Sequence, residues 1–282
     1  MDIEKAFDNI RLHIKDGEYD KVRPIVDTII SNADDASTLL KCASLLKVVD
    51  DEDGCQELLD MVIDASPDLK GKERLTVASS LRGLGRASEA YDLIKDEKET
   101  DAIIREKARA LLMTDDSEIA LSIIRKISKM TADDKILLTE ILCSLGEFKE
   151  AHDIASQLVK DENASYDSLV NLCATLMLMG KNKEAIKTAK QHLKEDKKDV
   201  DSLALAAYVM RINGRTAAAA NFAHRALTAD HKHKGALETM AYCMIEKSRI
   251  IEAKVLAGAI NDRTPGDPAA IRILDACRES KK

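Results

Sequence analysis

Residues 138–155 read LTEILCSLGEFKEAHDIA, and the two alanines in the second half of this run return at a fixed interval. Steps of 34 residues generate two columns, which contain Ala151, Ala185, Ala219 and Ala253, and Ala155, Ala189, Ala223 and Ala257. A strict period of 34 indicates a stack of helical hairpins rather than one globular core. Such stacks present a continuous surface instead of a catalytic pocket, so the period predicts a binding role.

The residues before these alanines predict the form of each hairpin. Apolar side chains recur three and four places apart, as on one helix face, in the columns Leu138, Leu172, Ala206 and Met240, and Leu142, Leu176, Met210 and Met244. A turn residue follows at Gly146, Gly180 and Gly214, and Ser248 takes its place in the last copy. Glycine tolerates the positive φ that ends many helices. Each unit is therefore predicted to be a helix A, a tight turn and a helix B, in close contact at the alanines.

The repeat extends towards the N-terminus with less regular spacing. The small residue near the start of helix B is predicted at Val22, Cys55, Ala90 and Ala120, and the intervals up to Ala151 are 33, 35, 30 and 31 residues. These intervals predict that the third and fourth hairpins are shortened in helix B or its exit loop. Pro24 falls in the opening turns of the first helix B, where proline can remove a hydrogen bond and kink the helix, so the sequence leaves the regularity of the first hairpin open.

A single domain over 1–282 with eight hairpins and one closing helix is predicted. The approximate units are 3–35, 36–69, 71–100, 101–131, 132–165, 166–199, 200–233 and 234–267. The last helix, over 268–280, is expected to be a solvated cap with Arg272 and Arg278 on its outer side, because terminal repeats need a polar outer face.

The pattern resembles the tetratricopeptide repeat, whose motif opens with Trp-x-x-Leu-Gly-x-x-Tyr and continues with Ala, Phe and Pro. The best matches are Leu138, Leu142, Gly146, Phe148 and Ala151 in the fifth unit, and Leu237, Met240, Met244, Ala253 and Pro265 in the eighth. The departures are consistent, because the chain has no Trp and the motif glycine is replaced by Thr139, Cys173, Ala207 or Ala241. The resemblance covers about residues 3–267. It implies an all-α fold, a right-handed α-solenoid of about eight helix-turn-helix hairpins with a C-terminal capping helix.

Composition limits the classes of function. Aromatic residues make up only 3% of the chain while 45% is hydrophobic, which is expected for thin layers of Leu, Ile, Val, Met and Ala. A net charge of −7 argues against broad nucleic-acid binding, which depends on neutralising phosphates. No run reaches 18 apolar residues, and the first residues lack the form of a signal peptide. We therefore expect a cytoplasmic location and no membrane partner.

Candidate chemical motifs favour ordinary structural roles. The run Gly83-Leu84-Gly85 lacks a third glycine and a preceding strand, so it is interpreted as a turn. His231 and His233 are predicted to be solvated loop residues, and the acidic run 50–53 an exposed loop. The six cysteines form no C-x-x-C pair and are expected to be buried thiols in a reducing compartment. No enzyme activity, metal or cofactor is expected.

The inner groove is the expected binding surface. The resemblance implies that helix A lines a concave groove and that its non-core residues contact the ligand. The positions this assigns to partner binding are Arg11, Lys47, Arg82, Arg105, Arg109, Tyr208, Arg211 and Tyr242. Arginine and tyrosine are the residue types that carry much of the binding energy at interfaces. The basic residues predict a carboxylate-bearing, acidic protein or peptide segment as the partner.

Two functions follow from these observations. The first is a non-enzymatic scaffold or adaptor that holds a partner segment in the groove. The alternative is a helical-repeat protein that binds single-stranded RNA through helix A. Because the chain is acidic and poor in aromatic residues that could stack on bases, we do not expect nucleic acid as the partner. The sequence leaves the oligomeric state open.

Overall fold

The computed structural model describes residues 2–33, 35–66, 69–160, 165–195, 199–263 and 267–280. The motif proline Pro265 lies outside these ranges. Within them the chain forms seventeen α-helices and one 3-10 turn, and no strand. The helices are α1 (Ile3–Asp16), α2 (Val22–Ile30), α3 (Ala36–Val48), α4 (Glu52–Ala65), α5 (Gly71–Gly83), α6 (Ala87–Ile94), α7 (Asp101–Met113), α8 (Ser117–Ile124), α9 (Ala132–Ser144), α10 (Phe148–Leu158), α11 (Tyr166–Leu178), α12 (Asn182–Glu195), α13 (Val200–Ile212), α14 (Thr216–Ala229), α15 (Lys234–Glu246), α16 (Ile250–Asn261) and α17 (Pro268–Glu279).

The predicted all-α array is confirmed. Odd-numbered helices from α1 to α15 take the place of helix A, and the even-numbered helices that follow them take the place of helix B. The alanines of both predicted columns are 0% exposed, because helices A and B approach closely there. A larger side chain at these positions would have no space in such a closely packed interior. The third and fourth B helices, α6 and α8, have only 8 residues each, as the shortened intervals predict.

The turns between helices A and B share one backbone conformation. The middle residue has a positive φ in each of the last seven hairpins, at Asp50, Gly85, Asp115, Gly146, Gly180, Gly214 and Ser248. The next residue donates its backbone N–H to a carbonyl five residues earlier, for example from Glu147 to Leu142 at 2.8 Å. This is the bonding of a left-handed helix end, which satisfies a carbonyl that the helix itself leaves open. Two aspartates and one serine therefore occupy a conformation that glycine prefers.

Pro24 lies in the first turn of α2. A 3-10 turn, Tyr19–Lys21, leads directly into α2, and Pro24 is the third residue of that helix. The first N–H groups of a helix have no partner within it, so proline loses no hydrogen bond at this position. Proline is therefore accommodated at this position, and the 3-10 turn makes the entry to α2 irregular.

Contacts divide the chain into two compact units. Unit 1 consists of Met1–Asp96 together with Met244–Lys282, and unit 2 of Glu97–Cys243. Unit 1 thus contains both the first hairpins and the last helices. Within it α16 packs against α1 and α3, and α17 against α16 and α3.

These contacts correct two predictions about exposed segments. Arg272 is exposed as expected, but Arg278 is half-buried, and its Nη1 lies 2.7 Å from Glu52 Oε2. The acidic run 50–53 is not a free loop, because Asp50 accepts a hydrogen bond from Lys254 at 2.5 Å and Glu52 pairs with Arg278. The sequence could not show this, because the partners lie about two hundred residues away.

Unit 2 contains one glycine that packing demands. A Cβ atom on Gly235 would lie 2.2 Å from the hydroxyl oxygen of Tyr166. The Tyr166 ring also makes an edge contact with His233, with ring centroids 4.9 Å apart. This contact joins the start of α11 to the start of α15, two hairpins further along the chain.

Candidate functional site

Three of the predicted groove residues lie in unit 1, where charges from the same chain surround two of them. Arg11 donates from Nε to Asp262 at 2.8 Å and from Nη1 to Asp8 at 2.7 Å. Lys47 is only 5% exposed, and its Nζ lies 3.6 Å from Asp275 Oδ1. Arg82 is 7% exposed. These groups do not present an open basic surface in the arrangement that the structure shows.

Arg105 forms a bidentate ion pair with Asp134 within unit 2. Its Nε donates to Asp134 Oδ1 at 2.5 Å and its Nη2 to Asp134 Oδ2 at 3.1 Å. Burial by itself would raise the pKa of Asp134, but the bonds from Arg105 and Thr131 outweigh it and lower that pKa to about 2. Asp134 also closes a capping box with Thr131 at the start of α9. Arg105 therefore connects α7 to α9 and acts as a support in this conformation.

Tyr208, Arg211 and Tyr242 form a row in unit 2. Tyr208 and Tyr242 hold equivalent positions, 34 residues apart, on α13 and α15. Arg211 lies one helical turn after Tyr208, and its guanidinium carbon is 4.5 Å from the centroid of the Tyr242 ring. All three side chains are partly exposed. A guanidinium over a tyrosine face is held by the ring quadrupole, so the row is pre-organised.

Apolar side chains adjoin this row on α11. Val170 and Met177 are partly exposed, and both pack, like Tyr208, against a buried cluster that includes Leu172, Leu176 and Leu205. The amide nitrogen of Asn213 lies 3.7 Å from the Met177 sulfur, which brings the end of α13 onto α11. The helix A face of unit 2 therefore combines a fixed arginine, two tyrosines and an apolar strip. We call this surface the A-face, and its residues are Val170, Met177, Tyr208, Arg211 and Tyr242.

Arg109 lies on α7 of the same unit. Its side chain is 38% exposed, and its Nη1 is 3.9 Å from Glu106, a separation that gives a weak ion pair. The Arg105 side chain, by contrast, is 24% exposed and is held by both oxygens of Asp134. Arg109 is therefore the more accessible of the two predicted arginines on α7.

The histidine prediction is wrong for one of its two members. His231 is exposed, but the His233 side chain is 13% exposed, and its Nε2 lies 2.9 Å from Asp201 Oδ1. The other ring nitrogen of His233 accepts a hydrogen bond from the Ala236 backbone at 3.1 Å. His233 therefore caps the start of α15. Across the described residues no group of three or more His, Cys, Asp and Glu side chains is placed to hold a metal ion.

All six cysteines are free thiols, and five of them are buried. Burial raises the pKa values of Cys42, Cys55 and Cys173 to about 12. The thiolate is the reactive form of cysteine, so these groups behave as small apolar core residues.

A row of lysines on α12 is a feature that the sequence analysis did not identify. Lys183, Lys187 and Lys190 are exposed, and with Ile186 they line a surface depression of about 420 Å³. Among the described residues, none forms an ion pair with these three lysines. Their spacing of four and three residues places them on one helix face, and that pattern was visible in the sequence.

No protein-family model matches the sequence, and no curated protein matches it either. Solved structures do match. A tetratricopeptide repeat protein from Parabacteroides merdae superposes with a TM-score of 0.51 at 14% identity, over 86% of this chain and 97% of its own. YrrB, described as a tetratricopeptide repeat protein with an unusual peptide-binding site, gives 0.34 at 16% identity, over 64% and 95%. MamA from Desulfovibrio magneticus RS-1 gives 0.33 at 12% identity, over 59% and 98%.

The fold class follows from the hairpins and from the first of these matches. The chain is an all-α solenoid with the tetratricopeptide-repeat fold, as the residue pattern predicts. In the described part of the chain, no helix is both long and apolar enough to cross a membrane.

Proposed function

We propose that this protein is a non-enzymatic scaffold that holds a segment of a partner protein on the A-face of unit 2. The observation that carries the proposal is the row Tyr208, Arg211 and Tyr242 beside Val170 and Met177. Arginine and tyrosine are enriched among the residues whose loss costs most binding energy, and they act best next to apolar contacts that exclude water. The free thiols are consistent with a reducing compartment, so we propose a cytoplasmic location.

The chemistry of the A-face points to the character of the segment. A carboxylate of the partner would pair with Arg211 by charge-assisted hydrogen bonds. One or two apolar side chains of the partner would lie over Met177 and Val170. Arg109 would supply a second positive group for an acidic segment, whereas Arg11, Lys47, Arg82 and Arg105 would contribute only after rearrangement. A segment in such a groove would bury about 1,200 Å² in total, at the low end of specific interfaces.

In the first step of the test, twelve-residue peptides that bind the full chain are selected from a displayed peptide library. Affinities of the selected peptides are then measured by calorimetry for wild type, Arg211→Ala and Tyr242→Ala. We expect each substitution to weaken binding about tenfold to a hundredfold, because each removes an anchor of the row. The matched control is the triple variant Lys183→Ala, Lys187→Ala and Lys190→Ala, which should bind as wild type does. Equal binding by wild type, Arg211→Ala and Tyr242→Ala would rule out the A-face as the site.

RNA binding is the second candidate, and the lysine row on α12 is the observation that favours it. Three exposed lysines on one helix face could follow a phosphate backbone, although the acidic net charge opposes this. A gel shift with oligouridine at low salt separates the two functions. The RNA hypothesis requires a shift that the triple lysine variant abolishes and that Arg211→Ala leaves unchanged.

A further inference from the structure

The last two helices meet the first hairpins of unit 1 through a seam of charged groups. Lys254 on α16 is 1% exposed and donates to Asp50 at 2.5 Å. On α17, Asp275 lies 3.6 Å from Lys47, and Arg278 pairs with Glu52. Asp262, which follows α16, accepts from Arg11 of α1 at 2.8 Å. We call these contacts the clasp.

The two sides of α17 differ in chemistry. Ala270, Ile273, Leu274 and Cys277 share one side of the helix, and all four are 0% exposed. Asp275 and Arg278, three residues apart, share a different side, and this side makes the ion pairs with α3 and with the start of α4. Ile271, one turn before Asp275, is also only 5% exposed, so the side that makes the ion pairs combines charged groups with a buried apolar residue.

Helix α16 shows the same division. Ala253, Ala257 and Ile260 follow one another at helical spacing and are fully or almost fully buried. Lys254 is also buried, but it points into the seam, where its Nζ lies 5.2 Å from the centroid of the Tyr19 ring as well as next to Asp50. A buried lysine needs its carboxylate partner, because an unpaired charge away from water is strongly unfavourable.

The acidic residues of the clasp pair with residues that the sequence predicts to bind carboxylates. Arg11 and Lys47 belong to the predicted binding set, and their partners are Asp262 and Asp275. The C-terminal segment thus supplies, from within the chain, the chemistry expected of an acidic ligand.

We propose that the segment formed by α16, Asp262 and α17 is a displaceable intramolecular ligand of the surface formed by α1 and α3. In the closed state it occupies Arg11 and Lys47. When it moves away, these two residues become available to an external acidic segment. The inference does not depend on the A-face of unit 2, because all residues of the clasp lie in unit 1.

The clasp differs in chemistry from the contacts within hairpins. The contacts within hairpins bury alanine, leucine and cysteine side chains, whereas the clasp is held by ion pairs whose carboxylates remain 28–46% exposed. The pairs of Arg11 and Arg278 are partly exposed on both sides, so they contribute little and weaken with salt, whereas Lys47 and Lys254 are buried. Polar interfaces of this kind resemble the transient contacts between domains.

The test compares the full-length double variant Asp262→Ala/Asp275→Ala with wild type. The matched control is Asp92→Ala/Asp153→Ala, which changes net charge equally at two exposed carboxylates outside the clasp. Amide hydrogen exchange followed by mass spectrometry reports opening. We expect exchange in α16 and α17 to become at least tenfold faster in the clasp variant, with no change in α9–α13 and none in the control.

Octaglutamate serves as the probe for the exposed basic surface. We expect it to bind the clasp variant at least fivefold more tightly than wild type or the control, because Arg11 and Lys47 each lose one of two carboxylate partners and keep only Asp8 and Glu52. The charge-swapped variant Arg11→Asp/Asp262→Arg keeps an ion pair between the two positions with its sign reversed. Exchange in α16 should therefore be as slow in this variant as in wild type. Unchanged exchange in α17, equal acceleration in every helix, or equal octaglutamate affinity in all variants would each overturn the proposal.

Discussion

Unit 1 and unit 2 are built from the same hairpin, yet they present different surfaces. In unit 2 the helix A residues Tyr208, Arg211 and Tyr242 remain partly exposed. In unit 1 the helix A residue Lys47 is only 5% exposed, and its Nζ lies 3.6 Å from Asp275 of α17. The difference arises because α16 and α17 pack on α3 from the far end of the sequence. A repeat period therefore specifies each hairpin, but it does not specify whether the outward face of helix A stays open.

The polar contacts of the two units differ in their range along the chain. Arg105 and Asp134 are 29 residues apart, so they join neighbouring hairpins. Lys254 and Asp50 are 204 residues apart. In a simple solenoid each repeat contacts only its neighbours, and stability is close to a sum of local terms. The Arg105–Asp134 pair of unit 2 joins neighbouring repeats, as this rule expects. The Lys254–Asp50 pair of unit 1 joins repeats that are far apart along the chain.

The largest expected effect concerns one turn position in the two units. Asp50 and Asp115 have nearly the same positive φ, 64° and 62°, but Asp115 is exposed and Asp50 holds Lys254. Asparagine keeps the left-handed preference and removes the charge. We expect Asp50→Asn to lower the free energy of unfolding by about 2 kcal/mol, since it leaves a buried lysine without its carboxylate. Asp115→Asn should change it by less than about 0.5 kcal/mol.

Urea unfolding followed by circular dichroism measures both variants. A double-mutant cycle with Lys254→Met then isolates the coupling between residues 50 and 254. Similar losses in the two asparagine variants would contradict the long-range coupling of unit 1.

A smaller effect is expected from acid in unit 2. The pKa of Asp134 is about 2 in the folded chain, below its ordinary value near 3.8. The unfolded chain therefore takes up a proton first as the pH falls, so this group stabilises the fold above about pH 4. That stabilisation, about 1–2 kcal/mol, should be lost between about pH 4 and pH 2.

Unfolding free energies of wild type and Asp134→Asn, measured from pH 6 down to pH 2.5, check this. The variant should be less stable at pH 6 and should approach wild type as the pH falls. Parallel curves would show that the Arg105–Asp134 pair does not determine the acid sensitivity of unit 2.

The smallest expected effect is a gain of stability at the last turn. Ser248 has a φ of 60° where three other hairpins of the C-terminal half have glycine. Ser248→Gly should stabilise the chain by about 0.5 kcal/mol, because glycine adopts this conformation without a Cβ clash. Asp50→Gly relieves the same strain but breaks the clasp, so it should destabilise. Thermal unfolding shows whether each glycine variant is more or less stable than wild type. A gain of stability in both would show that the clasp does not stabilise the chain.

Much of the architecture could be predicted from local pattern. The alanine columns located the close contacts of helices A and B, and the intervals near Ala90 and Ala120 located the two short B helices. The turn column was recognised at Ser248 but not at Asp50 or Asp115, because aspartate at a turn does not by itself reveal a positive φ. The cap made by His233 was also missed, since it depends on Asp201 in the preceding hairpin.

The groove was harder to predict. The resemblance placed Tyr208 and Tyr242 on the binding side of helix A; both are partly exposed, and their role in binding stays a prediction. It could not distinguish Arg211, which lies on a tyrosine ring, from Lys47, which is buried beside an aspartate of α17. The two positions look alike as basic residues on helix A, and only their neighbours in space separate them.

The sequence by itself determined the hairpin, its period and its turns, because helix periodicity and glycine preference act over a few residues. The tertiary structure alone decided which helix A faces stay open and which charges are paired. Those outcomes depend on Asp50, Lys254 and Arg278 meeting across two hundred residues. Electrostatic and packing energies follow distance in space, and no periodic pattern along the chain encodes that distance.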